Sequence, residues 1–202
     1  MSRPPRVTDP LLLAAAVRLA EEPLALLTLE DVARDAHVPL DTVLASFGST
    51  VEIGRSILDH ERASMRTAMV EVDRQHVTPL QKIVLAFEAV GQNLETDIVI
   101  RAGVRIAAES KRFFPERRLD PFETWRAFIS RQLALSRQHG GLRSGVDVES
   151  TTWLIVSAGM GAKDLIAFQN SWSTAATQMG ATARAAVALI SGASRPFGGA
   201  PG

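Results

Sequence analysis

Residues 28–58 read TLEDVARDAHVPLDTVLASFGSTVEIGRSIL, and this stretch decides the fold. Its apolar residues recur at helical spacing on both sides of a break near His37, which predicts a short helix on each side. A longer helix is predicted from Thr50 onwards. Two short helices joined by a tight turn have the outline of a helix-turn-helix, so we expect this stretch to belong to a three-helix head.

The charges of this stretch are unusual for a surface that meets a polyanion. From Asp35 to Gly54 there is no Lys or Arg, whereas three acidic residues fall in the same span. Residues 1–60 hold 5 basic and 9 acidic side chains, and residues 61–202 hold 17 basic and 13 acidic ones. The sequence therefore predicts an acidic head, which has the wrong sign for binding nucleic acid phosphates.

The whole chain has the composition of a globular protein. It contains 202 residues, of which 46% are hydrophobic and 22% charged, and it has no Cys. The absence of Cys excludes disulfides and thiolate chemistry. No signal-like apolar core or membrane-length apolar run is present, so we expect a cytoplasmic protein without a membrane segment.

Helix-start signals are strong, whereas strand signals are weak throughout. Three N-cap residues each precede a proline: Asp9-Pro10, Thr78-Pro79 and Asp120-Pro121. Proline is favoured at the first helical position because its missing N–H would be unpaired there anyway. Gln81 and Glu123 complete two capping boxes, and Thr28 with Asp31 forms a weaker one. We therefore predict an all-α fold of about nine helices, over 10–22, 28–35, 39–46, 50–74, 79–95, 97–112, 121–139, 147–169 and 174–191.

The last two predicted helices almost lack a polar face. Across residues 150–190 only Lys163, Asp164 and Arg184 are charged. A surface helix needs a polar stripe, so this pair has two interpretations. It is either a buried core hairpin, or the interface of a symmetric dimer in which two hairpins form a four-helix bundle.

Several segments carry a family resemblance. In the head these are LLLAAAVRLA (11–20), TLEDVARDAHV (28–38) and the closing Phe47. With the long helix and helical bundle that follow, they resemble the TetR family of one-component bacterial regulators. Three further segments are similar to the γ-butyrolactone receptor branch of that family: IVIRAGVRIA (98–107), DPFETW (120–125) and GVDVEST (145–151).

The resemblance implies a domain organisation and a function. A helix-turn-helix head would occupy 1–50, a ligand-binding and dimerisation domain 51–192, and a Gly- and Pro-rich flexible tail 193–202. The protein would be a repressor-type regulator linked to secondary metabolism, which releases DNA when a small lactone- or furan-like ligand binds. Homodimerisation would use helices 147–169 and 174–191.

The resemblance also identifies positions that would face DNA. They are Arg6, Leu40, Asp41, Thr42, Leu44, Ser46 and Thr50. Most are apolar, small or acidic, whereas base and phosphate contacts need long cationic or amide side chains. Core spacing is kept at Val32, Ala33, Val38, Val43 and Phe47, and phosphates can still dock on helix N-termini. Both a DNA-binding head and a folded cap with a degenerate surface stay open, and His37, in place of the usual Gly, is expected at positive φ.

A ligand pocket is expected in the C-terminal domain, because Trp125 matches the Trp that closes over the ligand in γ-butyrolactone receptors. The other predicted lining residues are Phe122, Phe128, Ile129, Phe87, Val90, Trp153, Val156, Ser157 and Met160. The alternative is that these side chains form a packed core. Arg101 and Arg105 either meet an anionic ligand or pair with acids such as Glu95 and Asp97.

Catalytic signatures are weak. The four histidines are scattered, and no metal-ligand spacing, nucleophile elbow or phosphate loop occurs, so we expect no metal and no cofactor. Asp164, beside Lys163, is the one candidate acid or base. Two alternatives to the regulator therefore stay open. One is a pocket protein without DNA binding that sequesters a ligand or biosynthetic intermediate, or acts as a cofactor-independent enzyme; the other is a heterodimer partner that disables a related regulator.

Overall fold

A computed structural model describes residues 9–115 and 122–192. Within these ranges the chain forms nine α-helices and, apart from one isolated bridge between Leu142 and Ser191, no β-structure, which confirms the all-α prediction. The helices are α1 (Pro10–Leu19), α2 (Leu29–Asp35), α3 (Leu40–Ser46), α4 (Thr50–Asp73), α5 (Pro79–Thr96), α6 (Ile98–Phe113), α7 (Glu123–Gln138), α8 (Val148–Phe168) and α9 (Ala175–Ile190).

The helices begin where their capping residues require. The Asp9 carboxylate accepts a hydrogen bond from the Leu11 N–H at 2.9 Å, and Thr78 and Gln81 form the reciprocal capping box. Thr28 accepts from the Asp31 N–H at 3.1 Å. These contacts satisfy N–H groups that lack a partner within the helix. The predicted cap at Asp120 lies outside the described residues.

The chain packs as two compact units, and the first includes the head. It comprises residues up to Glu71 together with Gln92–Pro121. Its core contains apolar side chains of α1, α2, α3, α4 and α6, among them Ala15, Leu19, Val32, Val43, Ile53, Ile57, Val99, Ala102 and Ile106. Because α6 buries its apolar face against α1, the packing divides the chain differently from the predicted boundary at residue 50.

The second unit comprises Val72–Gly91 and the chain from Phe122 onwards. Here α7, α8 and α9 pack in sequence against the first part of α5, and two glycines allow helices to approach closely. A Cβ on Gly91 would lie 2.4 Å from the Ala176 Cα, and one on Gly159 would lie 2.8 Å from the Phe87 ring. The predicted tail, 193–202, lies outside the described residues. None of the described helices combines the length and the hydropathy that a membrane-spanning segment needs.

Candidate functional site

The turn between α2 and α3 has the geometry expected of a helix-turn-helix. His37 adopts φ 56°, which confirms the predicted positive φ at this position. The Val38 N–H returns to the Ala33 carbonyl at 3.0 Å and closes the end of α2. Val43 is fully buried and Phe47 is half-buried against the same core. The turn and these apolar contacts hold α3 on the head with its opposite side in solvent.

We call that solvent-facing side the α3 surface: Leu40, Asp41, Thr42, Leu44 and Ser46. Asp41, Thr42, Leu44 and Ser46 are exposed, and Leu40 is half-buried. The Ser46 hydroxyl donates to the Thr42 carbonyl at 3.1 Å, so this donor is already engaged within the helix. The α3 surface therefore offers an exposed carboxylate, the Thr42 hydroxyl and apolar groups, and no cation. Thr50, at the start of α4, is half-buried, and Arg6 lies outside the described residues.

Both arginines between Asp9 and Gly54 are held in ion pairs within the head. Arg18 on α1 donates through Nε to Asp35 at 2.5 Å, and Arg34 donates to Asp31 at 2.7 Å. The hydrogen bond from Arg18 lowers the pKa of Asp35, and the same contact raises the pKa of Arg18. The sequence did not reveal the pairing of Arg18, because it joins residues 17 apart through the packing of α1 on α2.

The N-terminus of α4 is capped by its own side chains. The Ser49 hydroxyl accepts from the Glu52 N–H at 3.3 Å, and the Glu52 carboxylate accepts from the Gly48 N–H at 2.7 Å. A carboxylate therefore occupies one donor that a docking phosphate would use. Together with the paired arginines, this gives the part of the head between Asp9 and Gly54 a surface that disfavours phosphate binding.

In the second unit, some of the residues predicted to line the ligand pocket lie close together where α5, α7 and α8 meet. The rings of Phe87 and Trp125 are in edge contact, with centroids 5.4 Å apart and planes at 76°. The ring of Phe87 fits against Gly159, which has no side chain to block it. Five of the predicted lining residues are buried: Phe87, Val90, Phe128, Ile129 and Val156. Trp125 is half-buried.

Other members of the predicted set do not lie with these buried residues. Trp153 is 68% exposed and Ser157 is also exposed, because both lie on the side of α8 opposite Ile155 and Gly159. Met160 is half-buried, and Phe122 lies at the exposed start of α7. The apolar composition of α8 gave no sign of which side faces inward.

Trp153 instead borders an open groove of about 940 Å³ between α7 and the start of α8. The groove is lined by Arg126, Ala127, Ser130, Asp147, Val148, Glu149, Ser150, Thr152 and Trp153. Asp147 is the N-cap of α8, and the hydrogen bond from the Ser150 N–H lowers its pKa. Charged groups of both signs thus lie beside one exposed indole.

A buried polar residue was missed by the sequence analysis. Gln132 on α7 is 1% exposed, and its Nε2 donates to the Asp73 carboxylate at 2.9 Å. Arg131 donates to the other oxygen of the same carboxylate. Within the described ranges, the Gln132 Oε1 atom has no hydrogen-bond partner. Position 132 continues the Trp125, Phe128 and Ile129 face of α7, so a polar residue on an apolar stripe was the available signal.

The remaining candidates have structural or solvent-facing positions. Arg101 donates to the carbonyls of Leu94 and Glu95 at 2.6 and 2.7 Å, so it holds the end of α5, and the charge of Asp97 acts on it as the structural interpretation expects. Burial lowers the pKa of Arg101. Asp164 is exposed on α8 and does not lie among the buried aromatic residues. Among the described residues, no group of three or more acidic or histidine side chains could hold a metal ion.

Helices α8 and α9 expose a broad apolar surface. We call it the α8–α9 face and define it by Trp153, Leu154, Leu165, Phe168 and Leu189. Phe168 is 89% exposed, and the other four are between 54% and 68% exposed. In this single chain the hairpin is therefore not a buried core on both sides, contrary to the first of its two interpretations.

Comparisons with solved structures identify the fold. The TetR-family protein CprB from S. coelicolor A3(2) has a TM-score of 0.78 at 17% identity, over 92% of this chain and 88% of that chain. A γ-butyrolactone receptor (ArpA-like protein) has 0.71 at 17%, over 90% and 96%. The ketosteroid regulator KstR2 of Mycobacterium tuberculosis has 0.71 at 19%, over 93% and 98%.

Sequence comparisons add no closer relative. No protein-family model matches the chain, and no curated protein matches it. Identities of 17–19% to solved structures carry information about the fold alone. On that basis, this chain has the fold of the TetR-family regulators.

Proposed function

We propose that this protein is a small-molecule-responsive transcriptional regulator of the TetR type that acts as a homodimer. The observation that carries this proposal is the helix-turn-helix geometry of α2 and α3. Buried Val43 anchors α3 while the α3 surface stays in solvent, as a helix that enters the major groove requires. The TetR fold of the remaining chain supports the same function.

The α8–α9 face supports the homodimer. Several large exposed apolar side chains on one helix pair are unfavourable in water and are typical of a protein interface. Of the three charged residues between 150 and 190, Arg184 is engaged with Glu88 of α5. A second copy would bury Leu165 and Phe168 in a symmetric four-helix bundle formed by two α8–α9 pairs.

The Phe87–Trp125 contact supports a ligand site where α5, α7 and α8 meet. Aromatic side chains supply a large apolar contact area, which suits the lactone- or furan-like class that the likeness to γ-butyrolactone receptors suggests. Ligand binding there would favour one arrangement of the two heads and release DNA. The proposed biological setting is the control of secondary metabolism.

A DNA titration tests this function. Fluorescence anisotropy is measured with a duplex from the region upstream of its own gene and with a scrambled duplex of equal composition. A regulator prefers the natural duplex, and its affinity falls as salt is added because bound counterions are released. Equal affinity for both duplexes at micromolar protein would exclude sequence-specific regulation through this head.

A second function is favoured by the electrostatics of the head. Because Arg18 and Arg34 are ion-paired and Glu52 caps α4, the head between Asp9 and Gly54 has no cation outside an ion pair to hold a phosphate backbone. On this alternative proposal the protein does not bind DNA and uses the ligand site for sequestration, or for a cofactor-independent biosynthetic step.

Turnover separates these alternatives. The protein is incubated with intermediates of the neighbouring biosynthetic pathway, and the mixture is analysed by mass spectrometry over time. A product that accumulates beyond one equivalent of protein indicates catalysis. An unchanged intermediate that copurifies one-to-one with the protein indicates sequestration. An intermediate that releases the protein from DNA supports the regulator instead.

A further inference from the structure

We propose that Gln132 recognises the ligand by accepting a hydrogen bond from it, and that the ligand therefore carries an O–H or N–H donor on an otherwise apolar body. This inference rests on the proposed ligand-responsive function and adds the chemistry that the site selects. Gln132 was not among the residues that the sequence analysis placed in the pocket.

The orientation of the Gln132 amide is fixed by its neighbour. The Asp73 carboxylate accepts from Gln132 Nε2 at 2.9 Å and also accepts from Arg131. A carboxylate has no proton to donate, so the opposite amide orientation would place two acceptors against each other. Nε2 must therefore face Asp73, and Oε1 must point away from it.

That orientation leaves an acceptor without a donor in the interior. Gln132 is 1% exposed, and Oε1 has no hydrogen-bond partner among the described residues. Leaving a buried acceptor unpaired opposes folding, whereas a bound donor would relieve this penalty. A ligand O–H or N–H group supplies the missing donor in the ligand-bound state.

The position of Gln132 on α7 joins this acceptor to the aromatic residues. One face of α7 carries four of these residues, because their spacings of three, one and three positions match the helical repeat. They are Trp125, Phe128, Ile129 and Gln132. Seven residues of helix separate Trp125 from Gln132, which corresponds to roughly 10 Å. A ligand of that length would be long enough to span the distance along α7 between Trp125 and Gln132.

A matched pair of probes tests the inference in the full-length protein. 4-Phenylbutan-1-ol has one O–H donor and an apolar body of suitable length, and its methyl ether keeps the oxygen but has no donor. Binding is followed by the fluorescence of Trp125 in a Trp153→Phe, Trp172→Phe background. The protein is expected to bind the alcohol about tenfold more tightly than the ether, the usual effect of one buried hydrogen bond.

Two variants connect that preference to Gln132. Gln132→Met keeps the length of the side chain but removes the acceptor, and it is expected to bind alcohol and ether within about twofold of each other. Gln138→Met, on the exposed end of the same helix, is expected to keep the full preference. Thermal unfolding by circular dichroism verifies that both variants fold.

The proposal is overturned if the unmutated site binds both probes equally or binds neither at millimolar concentration. It is also overturned if a folded Gln132→Met variant keeps the preference. If that variant does not fold, the alcohol–ether comparison in the parent protein still decides. The DNA titration of the proposed function is independent of this test. A protein that prefers the alcohol but shows no preference for the natural duplex would refute the regulator and still support the Gln132 site.

Discussion

The α3 surface and the α8–α9 face are both exposed, but their chemistry is opposite. The α3 surface has an exposed carboxylate at Asp41, and the two arginines between Asp9 and Gly54 are paired with Asp35 and Asp31. The α8–α9 face is almost uncharged, and Phe168 is 89% exposed in the single chain. The first surface is unsuited to the polyanion that its fold suggests, whereas the second is suited to a protein partner.

The difference shows that folding and binding constrain different residues. Val32 and Val43 keep the head folded whatever side chains cover α3, because burial depends on the inward positions alone. On α8 the outward positions are themselves apolar, which the folding of one chain does not require. An outward surface is therefore informative about partners only where its residues depart from what folding needs.

The largest expected effect is on dimerisation. Leu165→Glu with Phe168→Glu places two charges at the centre of the α8–α9 face, and charges buried without partners oppose association. We expect the dimer dissociation constant to rise at least a hundredfold, or by about 3 kcal/mol. Sedimentation velocity over a range of concentrations measures it.

The matched control is Thr124→Glu with Gln138→Glu, which adds two charges at exposed positions of α7, outside this face. It should leave the dissociation constant unchanged. A parent protein that sediments as a monomer at all concentrations would remove the homodimer from the proposal and leave the apolar face to another partner.

The next effect separates the inward and outward sides of α8. A Cβ on Gly159 would lie 2.8 Å from the Phe87 ring, whereas a Cβ on Gly161 would have no neighbour within 4 Å. We expect Gly159→Ala to destabilise the fold by about 1–2 kcal/mol through overpacking. Gly161→Ala should stabilise it by about 0.5–1 kcal/mol through helix propensity.

Both glycine variants are compared by urea unfolding in the Leu165→Glu, Phe168→Glu background, so that dimer contacts do not contribute. Trp125 fluorescence, isolated by Trp153→Phe and Trp172→Phe, reports whether the Phe87 contact has changed. Equal effects of the two substitutions would contradict the inward placement of Gly159.

On the α3 surface, restoring a cation should restore phosphate binding. Asp41→Lys exchanges an exposed carboxylate for an ammonium, and we expect affinity for a random duplex at low salt to rise about tenfold. The salt dependence should steepen by about one counterion, as fluorescence anisotropy at several salt concentrations would show.

Glu149→Lys makes the same change of charge at the start of α8 and serves as the control. If it raises DNA affinity as much as Asp41→Lys does, the gain reflects net charge and the α3 surface has no special role.

The local features of this fold could be predicted from sequence. Asp9 and Thr78 mark helix starts because a cap and its N–H partner lie within three residues of each other. The positive φ at His37 follows from one tight turn. Features that depend on distant packing could not be predicted, among them the contact of α1 with α6.

The candidate site was predictable only in part for the same reason. Phe87 and Trp125 were expected together and are in contact. The hydrogen bond from Gln132 to Asp73 joins residues 59 apart, so no local sequence pattern predicts it. The direction in which α8 faces was equally hidden, because its inward Gly159 and its outward Gly161 have identical chemistry.

The smallest expected effect is on stability, and it comes from the half-buried Asp97 carboxylate in the first compact unit, which also contains the α3 surface. His60 on α4 donates through Nε2 to Asp97 at 2.8 Å, and Asp97 also accepts from the Val99 N–H at the start of α6. Burial alone would raise the pKa of Asp97, but the hydrogen bond and charge of His60 and the backbone N–H groups together lower it. A lowered pKa means that ionised Asp97 stabilises the folded state above the unfolded-state pKa of about 3.9, and that this contribution is lost as pH falls through the lower folded-state value.

We expect Asp97→Asn to reduce stability by about 1 kcal/mol at neutral pH, with the difference from the parent protein vanishing in acid. Urea unfolding across this pH range measures it, with Asp41→Asn as the exposed control. If the difference in unfolding free energy between the parent protein and Asp97→Asn is the same at every pH, the effect of Asp97 comes from packing and not from its charge. A buried charge would then not stabilise the unit that contains α3, and the contrast with the uncharged α8–α9 face would be weaker.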